Sequence, residues 1–140
     1  MMNKLNFIKL PFLICLTSVA VSLTSCTESF EERCKREARE YTEKQCPRQL
    51  DNVVTIDSMS YENDPQGFVY YYTVNDIEEK FDSITEEVRE NFTSHLRDNV
   101  RKDLNMKTYK ERNFTFTYRY YSRATGELLI NAVLTPEDYR

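Results

Sequence analysis

The stretch that decides the fold is FTFTYRYYSRATGELLINAVLT, Phe114–Thr135. Its first eight residues alternate: Phe114, Phe116, Tyr118 and Tyr120 point one way, and Thr115, Thr117, Arg119 and Tyr121 the other. That is the period-2 pattern of a strand with one buried face. Arg123 to Glu127 then has hairpin-turn chemistry, with Gly126 at the position that needs a left-handed backbone. Leu128 to Thr135 is a second strand, ended by Pro136.

Working backwards, the same order of elements recurs. Val53 to Ser60 and Phe68 to Val74 read as two strands around the turn chemistry of ENDPQG, Glu62–Gly67. A helix precedes each hairpin. FEERCKREAREYTEKQC puts Phe30, Cys34, Ala38 and Tyr41 on one face, and Pro47 stops it. The second helix carries Phe81, Ile84, Val88, Phe92, Leu96, Val100 and Leu104 at spacings of three or four. It has two competing starts, a capping box over Asp76–Glu79 and another over Ser83–Glu86. Helix-strand-strand twice is a weak internal repeat. The expected fold is α+β, with two α-β-β units forming a four-stranded antiparallel sheet and both helices packed on one face. The other face is expected to stay partly wet, which suits its Thr, Arg and Tyr residues.

Composition agrees with one packed domain. The chain has 140 residues, only two Gly, and 10 Tyr with 8 Phe, an aromatic content that suits a sheet. Its net charge is −4. Residues 1–25 hold Lys4 and Lys9 and no acid, so the remainder carries 17 bases against 23 acids. That sign repels phosphate backbones, and nucleic acid is excluded as a partner.

The amino terminus has the parts of an export signal: Lys4 and Lys9, an apolar run from Leu10 to Leu23 broken by Pro11 and hydroxyls, then small residues. A membrane-spanning helix needs about 20 apolar residues, and this run is shorter. Leu23-Thr24-Ser25-Cys26 resembles the lipobox of bacterial lipoproteins. The resemblance implies cleavage between Ser25 and Cys26, a diacylglyceryl group on the Cys26 thiol and often an acylated new amino terminus. Several acyl chains make a permanent tether. It also implies an envelope location. Thr27, where an Asp would favour inner-membrane retention, points to the outer membrane, with the periplasmic or surface face left open by the partial acidic cluster Glu28, Glu31, Glu32. The expected organisation is a signal peptide over 1–25, a lipidated tether over 26–30 and one α+β domain over 31–140.

Removing Cys15 with the signal and Cys26 with the lipid leaves Cys34 and Cys46. In an oxidising compartment an even pair suggests a disulfide. Twelve residues along an unbroken helix, however, is about 18 Å, beyond the reach of about 7 Å between bridged Cα atoms. A bridge and two reduced thiols both remain open. Neither a zinc-ligand set nor a CxxC motif is present, and the expectation is no metal and no cofactor.

DSMSYENDPQGFVYYYTV (57–74) followed by FTFTYRYYSRATGELLINAVLTPEDY (114–139) resembles a family of small exported Gram-negative proteins of unknown function. In that family a Tyr-x-Tyr strand, an acidic helix and a Tyr-Arg-Tyr hairpin recur in this order. The resemblance covers about residues 45–140, rests on Tyr118-Arg119-Tyr120, Gly126, Leu128 and Thr135-Pro136, and implies the architecture without any catalytic residue.

Chemistry-bearing residues are sparse. His95 is the only histidine and has no nucleophile placed with it. Glu78-Glu79 and Glu86-Glu87 read as solvated helix faces rather than paired glycosidase carboxylates. Alternation sends Tyr70 and Tyr72 to the core and Tyr71 to the opposite face, where Tyr71, Arg119 and Tyr121 make a candidate aromatic-basic binding surface. The sequence thus points to a non-enzymatic envelope lipoprotein that binds an unknown envelope protein or glycan. A periplasmic inhibitor or immunity protein is the alternative, and a hydrolase the reading with least support.

Overall fold

In the computed structural model, residues 27–75 and 85–140 are described. The expected signal peptide, Cys26 and the expected start of the second helix lie outside them.

Ser29 opens the first helix, α1 (Phe30–Gln45), with a capping box: its Oγ accepts from the Glu32 amide, and Glu32 accepts from the Ser29 amide. Cys34 and Ala38 on α1 are buried, with Phe30 and Tyr41 packed beside them, as the spacing requires. Cys46 caps the end and Pro47 follows.

Five strands follow: β1 (Arg48–Gln49), β2 (Val54–Asn63), β3 (Gln66–Val74), β4 (Thr115–Ser122) and β5 (Leu128–Leu134). They form one sheet in the order β1-β2-β3-β4-β5. Between β3 and β4 the chain passes through α2 (Glu86–Lys102) and α3 (Lys107–Glu111), and α4 (Pro136–Tyr139) closes it. Thr85 caps α2, its Oγ1 accepting from the Val88 amide at 3.3 Å.

Two expectations need correction. The sheet has five strands rather than four, because the two residues after Pro47 pair with Thr55 and Ile56. It is also mixed rather than antiparallel: β3 and β4 run parallel, from Gly67↔Thr115 to Val74↔Ser122. Each hairpin is antiparallel internally, but the joint between them spans a helix. A helical crossover returns the chain to the end from which β3 started, so β4 runs the same way. The α+β class holds, and the core contacts of the helices fall on one sheet face.

That face is aromatic. Across the parallel joint Tyr70 stacks on Tyr118 at 5.1 Å and Tyr72 on Tyr120 at 4.5 Å, with the ring planes nearly parallel in both pairs. Phe92 of α2 meets Tyr120 edge-on at 5.0 Å, and Phe114 and Phe116 are fully buried. Such contacts add to the burial of the rings themselves. Tyr139 of α4 donates from its hydroxyl to the Phe114 carbonyl at 2.8 Å. The opposite face is drier at its centre than expected: Val69, Thr115 and Thr117 are buried, because they sit on β3 and β4, inside the sheet.

The second-helix stripe is partly realised. Val100 is buried and Phe92 and Leu96 pack on the core. Val88 is exposed, and Leu104 lies beyond the helix end at 84 % exposure. Phe81 and Ile84 lie outside the described residues.

Gly67 is a strand residue rather than part of the turn. A Cβ there would lie 2.0 Å from the Thr115 carbonyl oxygen, a backbone atom that cannot swing aside. Gly67→Ala is therefore expected to cost roughly 1–3 kcal/mol or more of stability by overpacking. The shift of the urea midpoint measures it. Gly126, at φ +73° with nothing near its Cβ, meets only the backbone preference of the turn.

Candidate interaction site

The described residues form a groove of about 440 Å³ on the helical side of the sheet. Met59, Phe68 and Tyr70 make its floor, Glu37, Glu40, Tyr41 and Lys44 of α1 one wall, and Asp103, Asn105, Met106 and Tyr109 the other. The volume lies in the usual range for a ligand cleft.

Local chemistry holds each wall in place. Thr42 of α1 bridges to β2 twice, its hydroxyl donating to the Met59 carbonyl at 2.9 Å and accepting from the Met59 amide at 2.8 Å. These bonds lie just beyond the bulge at Ile56–Ser58 that re-aims the strand. The facing wall is fastened by Lys110. Its ammonium donates to the carbonyls of Val100, Arg101 and Asp103 at 2.8, 3.0 and 2.8 Å, satisfying the open end of α2 and favoured by its dipole. Asp103 accepts from the Asn105 amide at 2.8 Å and turns the chain into α3. Tyr109 joins the walls at one end, donating to the Glu37 carboxylate while its ring meets Phe68 at 5.0 Å.

Glu37, Glu40 and Asp103 against Lys44 give the rim an acidic balance. Glu40 is held by Lys44 at 2.7 Å and by Arg36 at 3.2 Å. The hydrogen bonds from Lys44 and Arg36 keep its carboxyl below the usual range. Met59 and Met106 make the lining adaptable.

On the opposite face the register places Tyr71 beside Arg119 and Thr73 beside Tyr121, so all three expected surface residues share that face. The Arg119 guanidinium lies 5.8 Å from the Tyr71 ring centre, donates to the Tyr71 hydroxyl at 3.4 Å and approaches Glu62 at 3.9 Å. Tyr70 and Tyr72 are on the core side, as alternation requires.

Cys34 lies in the second turn of the unbroken α1 and Cys46 caps its far end, and both are free thiols. Burial, then the charge of Glu37, pushes Cys34 up to about 11, far from the reactive thiolate range. His95 is exposed on α2, as are Glu86 and Glu87. Glu78 and Glu79 lie outside the described residues. No group of three or more His, Cys, Asp or Glu side chains that could hold a metal occurs among the described residues. Nor, among them, is any helix long and apolar enough to cross a membrane.

The groove escaped the sequence reading. Its residues come from four separated segments, and Phe68 and Tyr70 read simply as core.

Residues 29–130 match the model of a domain of unknown function, DUF8479, and the chain belongs to that family. No curated protein matches the chain significantly. Among solved structures, a candidate secreted protein from Pseudomonas aeruginosa is similar, with 17% identity and a TM-score of 0.62 over 79% of this chain and 92% of that one. A pilotin from the type 2 secretion system of Vibrio vulnificus is similar as well, at 10% identity and a TM-score of 0.58 over 79% and 91%. At these identities the likeness is one of fold.

The stacked tyrosines give the domain an alkaline limit. Burial above all raises Tyr70, Tyr72 and Tyr118 above the ordinary phenol value, and raises Tyr120 to about 12. The native state thus keeps protons that the unfolded chain loses near pH 10. Stability is present in full below about pH 10 and falls as pH rises from there towards about 12 and beyond. Melting temperature against pH is expected to be level up to about 9.5 and to drop above 10, and Tyr120→Phe is expected to soften the drop.

Proposed function

We propose that this protein is a lipoprotein of the cell envelope, fastened at Cys26, whose domain holds another envelope protein and performs no chemistry on it. Cleavage after Ser25 frees Cys26 for acylation, and Thr27 directs the chain to the outer membrane. The observation that carries the binding role is the groove between α1 and the Asp103–Tyr109 wall. Its apolar floor and acidic rim suit an apolar segment flanked by basic residues. The fold likeness to a type 2 secretion pilotin adds support for work as an assembly partner.

The Tyr71, Arg119, Tyr121 face is a second docking surface, for a protein or a glycan. Arg119 over Tyr71 favours it, since an arginine-aromatic pair is a frequent interface anchor.

One capture experiment separates the two faces. Wild-type protein, Met106→Glu and the double variant Tyr71→Ala/Tyr121→Ala are used to recover partners from detergent-solubilised envelopes, with circular dichroism confirming that each is folded. Met106→Glu is expected to lose the specific partner by roughly tenfold or more. Loss only with the tyrosine variant moves the site to the open face, and identical recovery by all three rejects the binding role. The anchor has its own check. Cys26→Ser is expected to shift the chain from the membrane fraction to the soluble envelope fraction, and retention on the membrane overturns the anchor.

A further inference from the structure

β5 lies at one edge of the sheet, and among the described residues its backbone pairs with β4 alone. An edge strand turns the amide and carbonyl of every second residue away from the sheet, where another strand can meet them. The opposite edge is blunted, since β1 has two residues, Arg48 and Gln49, one of them charged. β5 has seven residues, LLINAVL, with neither charge nor proline. Its irregularity is the bulge beside Leu129, near the start of the strand. Leu128 and Val133 are exposed at 50 % and 44 %, so this edge offers apolar side chains together with open backbone.

The polarity of β5 says what pairs with it. Three apolar residues, Leu128–Ile130, and three more, Ala132–Leu134, flank one polar residue, Asn131. The strand therefore has the same pattern in both directions. Laid antiparallel against a second copy about Asn131, it sets Ile130 opposite Ala132 and Leu129 opposite Val133, apolar against apolar. The two Asn131 amides meet at the centre, and each can both donate and accept. Opposite residues differ by an even number, so each side chain keeps its face. Ile130 and Ala132 stay on the core side with Tyr120 and Tyr118, and Asn131 and Val133 on the open side with Arg119 and Thr117. Arg119, the cation beside Asn131, is turned to Tyr71 and Glu62.

We infer that two copies of this chain join edge to edge through β5, about a two-fold axis at Asn131. Such a pairing closes on itself, and the edges that remain are the two short β1 strands. The joint is smaller than a standard protein interface, and the dimer is accordingly reversible. It sets the Tyr71, Arg119, Tyr121 faces of two copies in one continuous sheet surface. The grooves, floored by residues of β2 and β3, lie away from the joint. The dimer depends neither on a groove partner nor on the anchor.

The test uses the full chain in intact cells, with a cysteine introduced at an exposed position and mild oxidation to trap the joint. Cβ atoms of opposite residues in a strand pair lie about 5 Å apart. Asn131→Cys is expected to give a covalent homodimer, identified by mass spectrometry, in roughly tenfold greater yield than Thr125→Cys in the exposed turn. Val133→Cys, about 13 Å along the strand from its counterpart, is expected to stay monomeric. Adding Val133→Lys to Asn131→Cys places a charge at two symmetric sites in the joint and is expected to reduce the cross-link roughly tenfold. Circular dichroism checks the fold of each variant. Asn131→Cys yields no higher than those of Thr125→Cys and the unsubstituted chain, or a cross-link that survives Val133→Lys, overturns the dimer. Equal cross-linking through Val133→Cys overturns the axis at Asn131. Capture of another protein by Asn131→Cys, in place of its own copy, gives the edge to a foreign strand and overturns self-pairing.

Discussion

The parallel joint between β3 and β4 is the constraint on which the rest depends. It brings two antiparallel hairpins into one sheet and puts four tyrosines from the two strands into stacked contact. It closes only because Gly67 has no side chain to meet the Thr115 carbonyl. With the joint formed, the inner strands bury their small residues on one face and their rings on the other. The helices then have a single aromatic surface to cover.

The groove is a consequence of how that surface is covered. α1 and the α2–α3 segment lie side by side over the sheet without meeting along their whole length. Thr42 fixes one to the backbone of β2, and Lys110 holds the other by gathering three carbonyls at the end of α2. Tyr109 and Glu37 join the two at one end. What remains open between them exposes part of Met59 and Tyr70. The same packing sets the start of α1 beside Arg112, so the start of α1 and the groove wall occupy different parts of one helix.

Much of this architecture was legible locally. Alternation in Phe114–Tyr121 and Phe68–Val74 marked both sides of each strand, and Phe30, Cys34, Ala38 and Tyr41 marked the buried face of α1. The Tyr71, Arg119, Tyr121 face was legible for the same reason, since period 2 assigns every strand residue to a side. Two things were not. Strand direction across a helical crossover leaves no mark in the period of either strand, so the parallel joint could not be read. Nor could β1, two exposed residues whose only structural content is pairing with Thr55 and Ile56. The groove was hidden for a related reason: a cavity is what packing leaves uncovered, and no residue spells it.

By itself the sequence determined the first helix, the two hairpins and their buried faces, because each is a matter of residue type at short spacing. Tertiary structure decided the parallel pairing of the two hairpins and the presence of a groove. The pairing and the groove depend on which distant segments meet, and that is set by steric fit at places such as Gly67 and by side chains such as Lys110 and Thr42 that reach across to another element's backbone.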